Sequence, residues 1–239
     1  MTTPTTYDVV HVVVPAHDEQ ALVGECVRSL LVAVEHLAEH HPEVESRLTV
    51  VADRCTDLTA QVAAELGADV LAVDVGCVGS ARQAGVRRVE ATAGDVPAER
   101  VWVANTDADT VVPPHWLTRQ LDLAATGFAL VLGTAVPDHR GIDPTVLEAW
   151  HDLHTLTEGH PHVHGANLGI SLAALQRAGG FTPVELGEDV ALSEAVRRAG
   201  LPWCATATTQ VTTSSRLLSR VESGFAGVLR DLHATRLAR

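Results

Sequence analysis

Lysine is missing from this chain of 239 residues: all 17 basic side chains are arginine, and asparagine occurs only twice, at Asn105 and Asn167. Such a pattern points to a coding bias against A/T-rich codons. An asparagine that survives it marks a position held by a specific hydrogen-bonding task. Positive charge is also scarce, with 30 acidic residues and a formal net charge of −13. That balance argues against nucleic acid or an anionic membrane surface as a main partner. A small polyanionic substrate stays compatible where local arginines and a cation offset the acids. No uninterrupted apolar run approaches the roughly 18 residues of a membrane span, and a basic-then-apolar leader pattern is lacking. Cys26, Cys55, Cys77 and Cys204 show no C-x-x-C spacing. They read as reduced, mostly buried thiols of a cytoplasmic protein.

What is present is an ordinary globular composition, 46% hydrophobic and 20% charged, in a chain long enough for one sizeable core. Val9 to Val14 is a β-branched run closed by Pro15, the pattern of a buried parallel strand. Leu22, Cys26, Leu30, Val34 and Leu37 recur at helical spacing and predict a helix from about Glu19 to Glu39. A strand at 48–51, a helix to about Leu66, a strand at 69–73 and a helix at 80–90 follow. The apolar run from Val101 comes next, then a helix introduced by Pro113 and Pro114 that reaches about Ala125, then a strand at 130–136. This β-α alternation predicts a parallel, doubly wound sheet with helices on both faces. Beyond it the pattern is less regular: helices over 145–157 and 188–198, a short helix closed by Gly179 and Gly180, short strands at 203–205 and 210–213, and a final helix from about Leu217. No linker or repeat interrupts the chain. One domain is expected, with a nucleotide-binding half at about 9–136 and an acceptor and catalytic half at about 137–239.

The chemistry concentrates where apolar runs stop. Val101-Trp-Val-Ala-Asn-Thr-Asp-Ala-Asp109 delivers two carboxylates one residue apart to a strand end, and residues i and i+2 of an extended segment share a face. Asp107 and Asp109 repel each other unless a cation lies between them. A hard divalent ion that borrows further ligands from water and phosphates fits that need. Pro15–Glu19 and Asp53–Asp57 occupy equivalent strand ends. In doubly wound sheets those ends open on one crevice, where ligands bind.

The ordered set Pro15-Ala-His-Asp-Glu19, Asp53-Arg-Cys-Thr-Asp57, Ser80-Ala-Arg82-Gln-Ala-Gly85, Asp107-Ala-Asp109, Gly165-Ala-Asn167, Gly179-Gly-Phe181 and Gly187-Glu-Asp189 resembles the family-two glycosyltransferases with the GT-A fold, over roughly residues 9 to 216. The resemblance implies a mostly parallel, Rossmann-like sheet and inverting transfer of a sugar from a nucleoside diphosphate sugar to a hydroxyl of a small or lipid-linked acceptor, with Mg²⁺ or Mn²⁺ as cofactor. It assigns Pro15, Ala16, His17 and Glu19 to the first nucleotide-contacting loop, with Asp18 where asparagine is commoner. Asp53 takes the nucleobase contact. Ala52, Arg54 and Cys55 depart from the usual second acid, glycine and serine, which leaves the base open between uracil and guanine. Arg82 faces the nucleotide from the first turn of its helix, Asp107 lies near the ribose, and Asp109 holds the metal together with Asp107. Asp189 is the general base, and Glu188 supports the acceptor or the backbone. Asn167 lines the sugar pocket, and Arg216 folds over the diphosphate.

Each motif also has a plainer origin. Acids enrich the first turn of any helix because they complement its dipole, and polar residues cap strand ends. Among His151, His154, His160, His162 and His164, a zinc site would need a tetrahedral set. A single histidine, His164 or His233, completing the shell around Asp109 is the simpler expectation. Two further functions stay open. A sugar nucleotidylyltransferase would need a glycine-rich, basic loop after the first strand, which Pro15–Glu19 is not. A non-catalytic nucleotide-sugar binder would lack the acids, and Asp107, Asp109 and Asp189 are all present. A homodimer is compatible with the sequence.

Overall fold

The computed structural model describes residues 6–140, 142–184, 186–216 and 225–237. Four parallel strands, β1 (Val9–Ala16), β2 (Glu45–Asp53), β3 (Asp69–Val73) and β4 (Val101–Asn105), alternate with helices α1 (Val23–His40), α2 (Thr59–Glu65) and α3 (Val78–Thr92). The valine-rich run of β1, broken only by the buried His11, has a direct cause. Val10, Val12 and Val14 pack into one core with α1, while Val9 and Val13 pack into a second with α3. A strand covered on both faces has no polar side to alternate with. β1 pairs with β2 on one side and β4 on the other, so strand order reverses at β1, and the carboxyl ends part there to leave a crevice.

The chain continues through β5 (Thr110–Val111), α4 (Trp116–Ala125), β6 (Leu130–Pro137), α5 (Pro144–Leu153), β7 (Leu168–Ser171), α6 (Leu172–Ala178), α7 (Glu188–Arg198), β8 (Trp203–Thr213) and α8 (Phe225–Leu237). Sheet order is β3-β2-β1-β4-β7-β6-β8-β5. β7 runs antiparallel between β4 and β6, so the mostly parallel sheet carries an antiparallel insertion from the second half, beyond the stretch whose β-α alternation predicted parallel pairing. Leu168-Gly-Ile-Ser is too short and too weakly β-branched to announce a strand. Gly169 permits it, because a Cβ there would overlap the side chains of Gln120 and Trp102.

Several expected boundaries move. α1 begins at Val23 rather than Glu19, α3 starts two residues earlier, at Val78, and α5 ends at Leu153 rather than Thr157. The two short strands expected at 203–205 and 210–213 form a single β8, whose pairing jumps from Gly133–Thr206 to Ala135–Val211. The polar Thr206-Ala-Thr-Thr segment is a bulge rather than a turn. The expected helix start at Leu217 lies outside the described residues. Among those described, no helix is long and apolar enough to cross a membrane.

Candidate active site

A cleft of about 1270 Å³ opens at the carboxyl ends of β1, β2 and β4. It takes in Pro15, Ala16, His17, Glu19 and Asp53 from the first two strand ends, and Arg82, Asp107 and Asp109 from α3 and the turn after β4. Glu188, Asp189 and Arg216, more than 70 residues further along the chain, line the same space. Of the residues to which the resemblance gives a site role, Asn167 is not in this lining.

The loops after β1 and β2 are locked together. Asp18 adopts φ +50°, a left-handed conformation that Asp and Asn tolerate better than other residues. Its carboxylate accepts from the Thr56 amide at 2.7 Å. Arg54 is also left-handed, at φ +52°, which explains why glycine is usual there in the resembling family. Its guanidinium pairs with Asp74. The His17 ring nitrogen Nδ1 donates to the Asp53 carbonyl at 2.5 Å. Asp53 Oδ1 accepts from the amides of Val75 (2.8 Å) and Gly76 (3.1 Å), and Oδ2 from Gly76 at 2.9 Å. This grip from the loop after β3 was not found in the sequence. Gly76, at φ +74° directly beyond a strand end, is the signal that could have revealed it.

Arg82 sits in the second turn of α3, not the first, and is 1% exposed. It bridges the two halves of the cleft: Nη2 donates to Asp107 at 2.5 Å and Nε to Glu188 at 3.0 Å. Burial opposes its charge, but Asp107, Glu188 and Asp189 outweigh burial and raise its pKa. Nη1 is buried with no hydrogen-bond partner. Gly165 is required because its Cβ would stand 2.6 Å from Arg82 Nη2. The Gly179-Gly-Phe181 motif docks beside this arginine, the Phe181 amide donating to Gln83 at 2.8 Å.

Glu188 therefore turns inward. It is 5% exposed, burial raises its pKa against the pull of Arg82, and its Oε1 accepts from the arginine's Nε. Asp189 stays in the cleft, its Oδ2 accepting from the Gly165 amide at 2.6 Å and its Oδ1 from the Val190 amide at 2.8 Å.

β4 ends at Asn105, so the acidic pair lies in a turn, closed by the Thr110 amide donating to the Asp107 carbonyl at 3.1 Å. Asp109 receives Arg216 Nη2 at 3.0 Å and the Thr213 hydroxyl at 3.3 Å. Arg216 is forked onto Glu19 at 2.6 and 2.8 Å, so the first loop's glutamate holds a side chain from beyond β8. Burial, then the charge of Asp107, pushes the Asp109 pKa up to about 6, with Glu19 adding to the rise and Arg216 opposing it. A buried carboxylate short of positive charge, beside a second carboxylate, suits a hard divalent ion. His164 lines the cleft, and burial takes its pKa down to about 4. His233 lies on α8. Among the described residues, the group compact enough to grip an ion as it stands is Asp18, Cys55 and Asp57. Its carboxylates are already taken by the amides of Thr56, Thr59 and Gln20.

Asn167 is 1% exposed, and its bonds point away from the cleft. Nδ2 donates to the carbonyls of Thr134 (2.8 Å) and Thr209 (2.5 Å), and Oδ1 accepts from Trp116 Nε1 at 2.9 Å. It pins the irregular β6–β8 pairing. The expected sugar contact gives way to this structural task because every polar atom of the amide is already engaged.

Comparison with known proteins bears on the family and the fold. The family described as "Glycosyltransferase like family 2" matches residues 8–228. No curated protein matches the chain. Among solved structures, S. aureus TarS 1-349 superposes with TM-score 0.59 at 16% identity, over 95% of this chain and 65% of that one. The M. tuberculosis glucosyl-3-phosphoglycerate synthase in complex with Mn²⁺, UDP-glucose and phosphoglyceric acid gives TM-score 0.60 at 21% identity, over 97% of this chain and 79% of that one. A second structure of that synthase gives 0.55 at 23%, over 97% and 80%. The chain thus spans just under two thirds of the TarS 1-349 length. At these identities the superpositions speak for the fold, and the family match covers nearly the whole sequence: the chain belongs to the glycosyltransferase-like family 2 and has the GT-A fold.

Proposed function

We propose that this protein transfers a sugar from a uridine diphosphate sugar to an acceptor hydroxyl, inverting the anomeric centre, with a divalent cation at Asp109 and Asp107. The observation that carries the proposal is the convergence of acids from the ends of β1, β2 and β4 with Asp189 of α7 in one cleft. Residues 9–136 hold the donor and those from 137 onward the acceptor, as one catalytic domain. A reducing, cytoplasmic setting suits the four unpaired cysteines.

Asp53 supports uracil. Two amide N–H groups already engage its carboxylate, that of Val75 on Oδ1 and that of Gly76 shared between both oxygens. The acceptor capacity left suits the single imide N–H of uracil. The synthase complex with UDP-glucose agrees with that preference. Pro15, Ala16 and His17 form the floor beneath the nucleotide. Asp109 and Asp107 would hold the cation, which when bound would supply Lewis-acid stabilisation to the departing diphosphate. Arg216, the counter-charge of Glu19 and Asp109 in the cleft lining, is the side chain we assign to the same phosphates.

Inversion requires the acceptor oxygen to attack from the face opposite the diphosphate and to lose its proton as it does so. Asp189 takes that proton: its carboxylate is oriented by two backbone amides and keeps lone pairs for the hydroxyl. Such a base contributes typically 10²–10⁴-fold. Glu188 holds Arg82, and through it Asp107, in position.

A thermal-shift screen of nucleoside diphosphate sugars with and without Mn²⁺ tests the proposal. UDP-sugars should stabilise the protein more with Mn²⁺ than without it. Asp109→Asn should abolish the Mn²⁺ increment. Asp189→Asn should keep it and lose transfer. Wild-type transfer by Asp189→Asn would rule out the assigned base.

A further inference from the structure

We infer that the acceptor is an uncharged alcohol with an apolar body, one that carries no carboxylate or phosphate. This deepens the proposed transfer reaction and rests on it.

Exposed aliphatic side chains are common on proteins and carry no meaning singly. Here three of them, Leu186 (51% exposed), Val190 (42%) and Val228 (38%), line the reaction cleft itself. Leu186 precedes the Gly187-Glu-Asp189 turn and Val190 follows it, so aliphatic carbon brackets the proposed base on both sides along the chain. Val228 faces the cleft from α8, which is held against α5 by Leu229 packing on Trp150 and Val146. An acceptor hydroxyl that reaches Asp189 brings its own carbon framework against this wall. Leaving three aliphatic side chains in water has no compensation in the free protein; covering them with an apolar body does.

Charge points the same way. The acceptor wall carries Glu188, Asp189 and Glu194. Among the described residues, the arginines lining the cleft are Arg54, Arg82 and Arg216, and each is already committed, to Asp74, to Asp107 and Glu188, and to Glu19 and Asp109 respectively. The wall's histidine His164 is held neutral by burial. An anionic acceptor would meet Asp189 and Glu194, while Arg82 is held by Glu188 and Asp107 and Arg216 faces the donor side, and like charges in a partly desolvated cleft repel strongly. Phosphoglyceric acid, bound by the structurally similar synthase, is the kind of acceptor this wall rejects.

The test is calorimetric titration of the Mn²⁺–UDP-loaded protein with methyl, butyl and hexyl β-D-glucosides and with 3-phosphoglycerate. Affinity should rise about two- to fourfold for each added methylene that is buried, and 3-phosphoglycerate should give no saturable binding. Leu186→Ser and Val190→Ser, both at exposed positions, should flatten the chain-length dependence, with melting curves confirming that the variants fold. A flat series, or 3-phosphoglycerate binding as tightly as the hexyl glucoside, overturns the inference while leaving the transferase proposal intact. Failure of Mn²⁺–UDP to bind at all overturns both.

Discussion

Replacing Asn167 with alanine separates a packing role from a sugar-binding one. The substitution orphans three buried groups at once: the carbonyls of Thr134 and Thr209, and Trp116 Nε1–H. Each buried group left unsatisfied costs about 1–3 kcal/mol, so even the lower end gives about 3 kcal/mol, a large share of the roughly 5–15 kcal/mol that holds a domain together. For a chain of this size about 3 kcal/mol lowers Tm by roughly 6–12 °C. Asn167→Asp is a sharper form of the same test. It keeps an oxygen for Trp116 but turns a second oxygen on two carbonyl oxygens, so it should be at least as damaging as alanine. In a double-mutant cycle, Trp116→Phe and Asn167→Ala should show a coupling of about 1 kcal/mol, because the second change no longer orphans a donor the first has removed. Calorimetric or fluorescence melting reads all of these. A Tm loss under 2 °C for Asn167→Ala, together with weakened UDP-sugar affinity, would refute the packing assignment and restore this residue to the sugar pocket.

Three further outcomes follow from the charges. Arg216→Gln should tighten Mn²⁺ binding to the nucleotide-free protein a few-fold, because it removes the competing cation at Asp109. It should also weaken Mn²⁺–UDP binding, and two calorimetric titrations read these opposite signs. Glu188→Gln should retain transfer to within about tenfold, since a neutral oxygen still accepts from Arg82 Nε, whereas Asp189→Asn should lose 10²–10⁴-fold in kcat; the reverse order would exchange the two roles. His11, buried in β1 and bonded to Thr49, has its pKa taken down to about 4, mainly by burial. Between pH 6.5 and 4 the unfolded chain takes up a proton there that the folded chain refuses, so stability falls with acidification by about 1.4 kcal/mol per pH unit from this group. Urea melts of wild type and His11→Gln across that range should differ in slope, and parallel lines would contradict the assignment.

Much of this protein is written locally. The β-branched run at Val9–Val14, the helical spacing of Cys26, Leu30 and Leu37, and the acids that end apolar runs specify an α/β sheet and a crevice beyond its strands, because each depends on residues within a turn or two of one another. Glu188–Arg198 is legible to the residue, since Gly187 and Gly200 bracket it with left-handed turns. Asp107 and Asp109 are recognisable as a pair for the same reason, although it is a turn rather than an extended strand that brings them together.

Partnership across the chain is what tertiary structure decided. Residue type alone could not show that Glu188 would be spent on Arg82, Glu19 on Arg216, or Asn167 on a bulge between β6 and β8, because each bond joins segments far apart in sequence. The antiparallel insertion of β7 follows from close approach at Gly169, and the apolar wall around Asp189 from α5 and α8 packing together. A single sequence records which groups are available for bonding; only the folded chain fixes which of them remain free to meet a substrate.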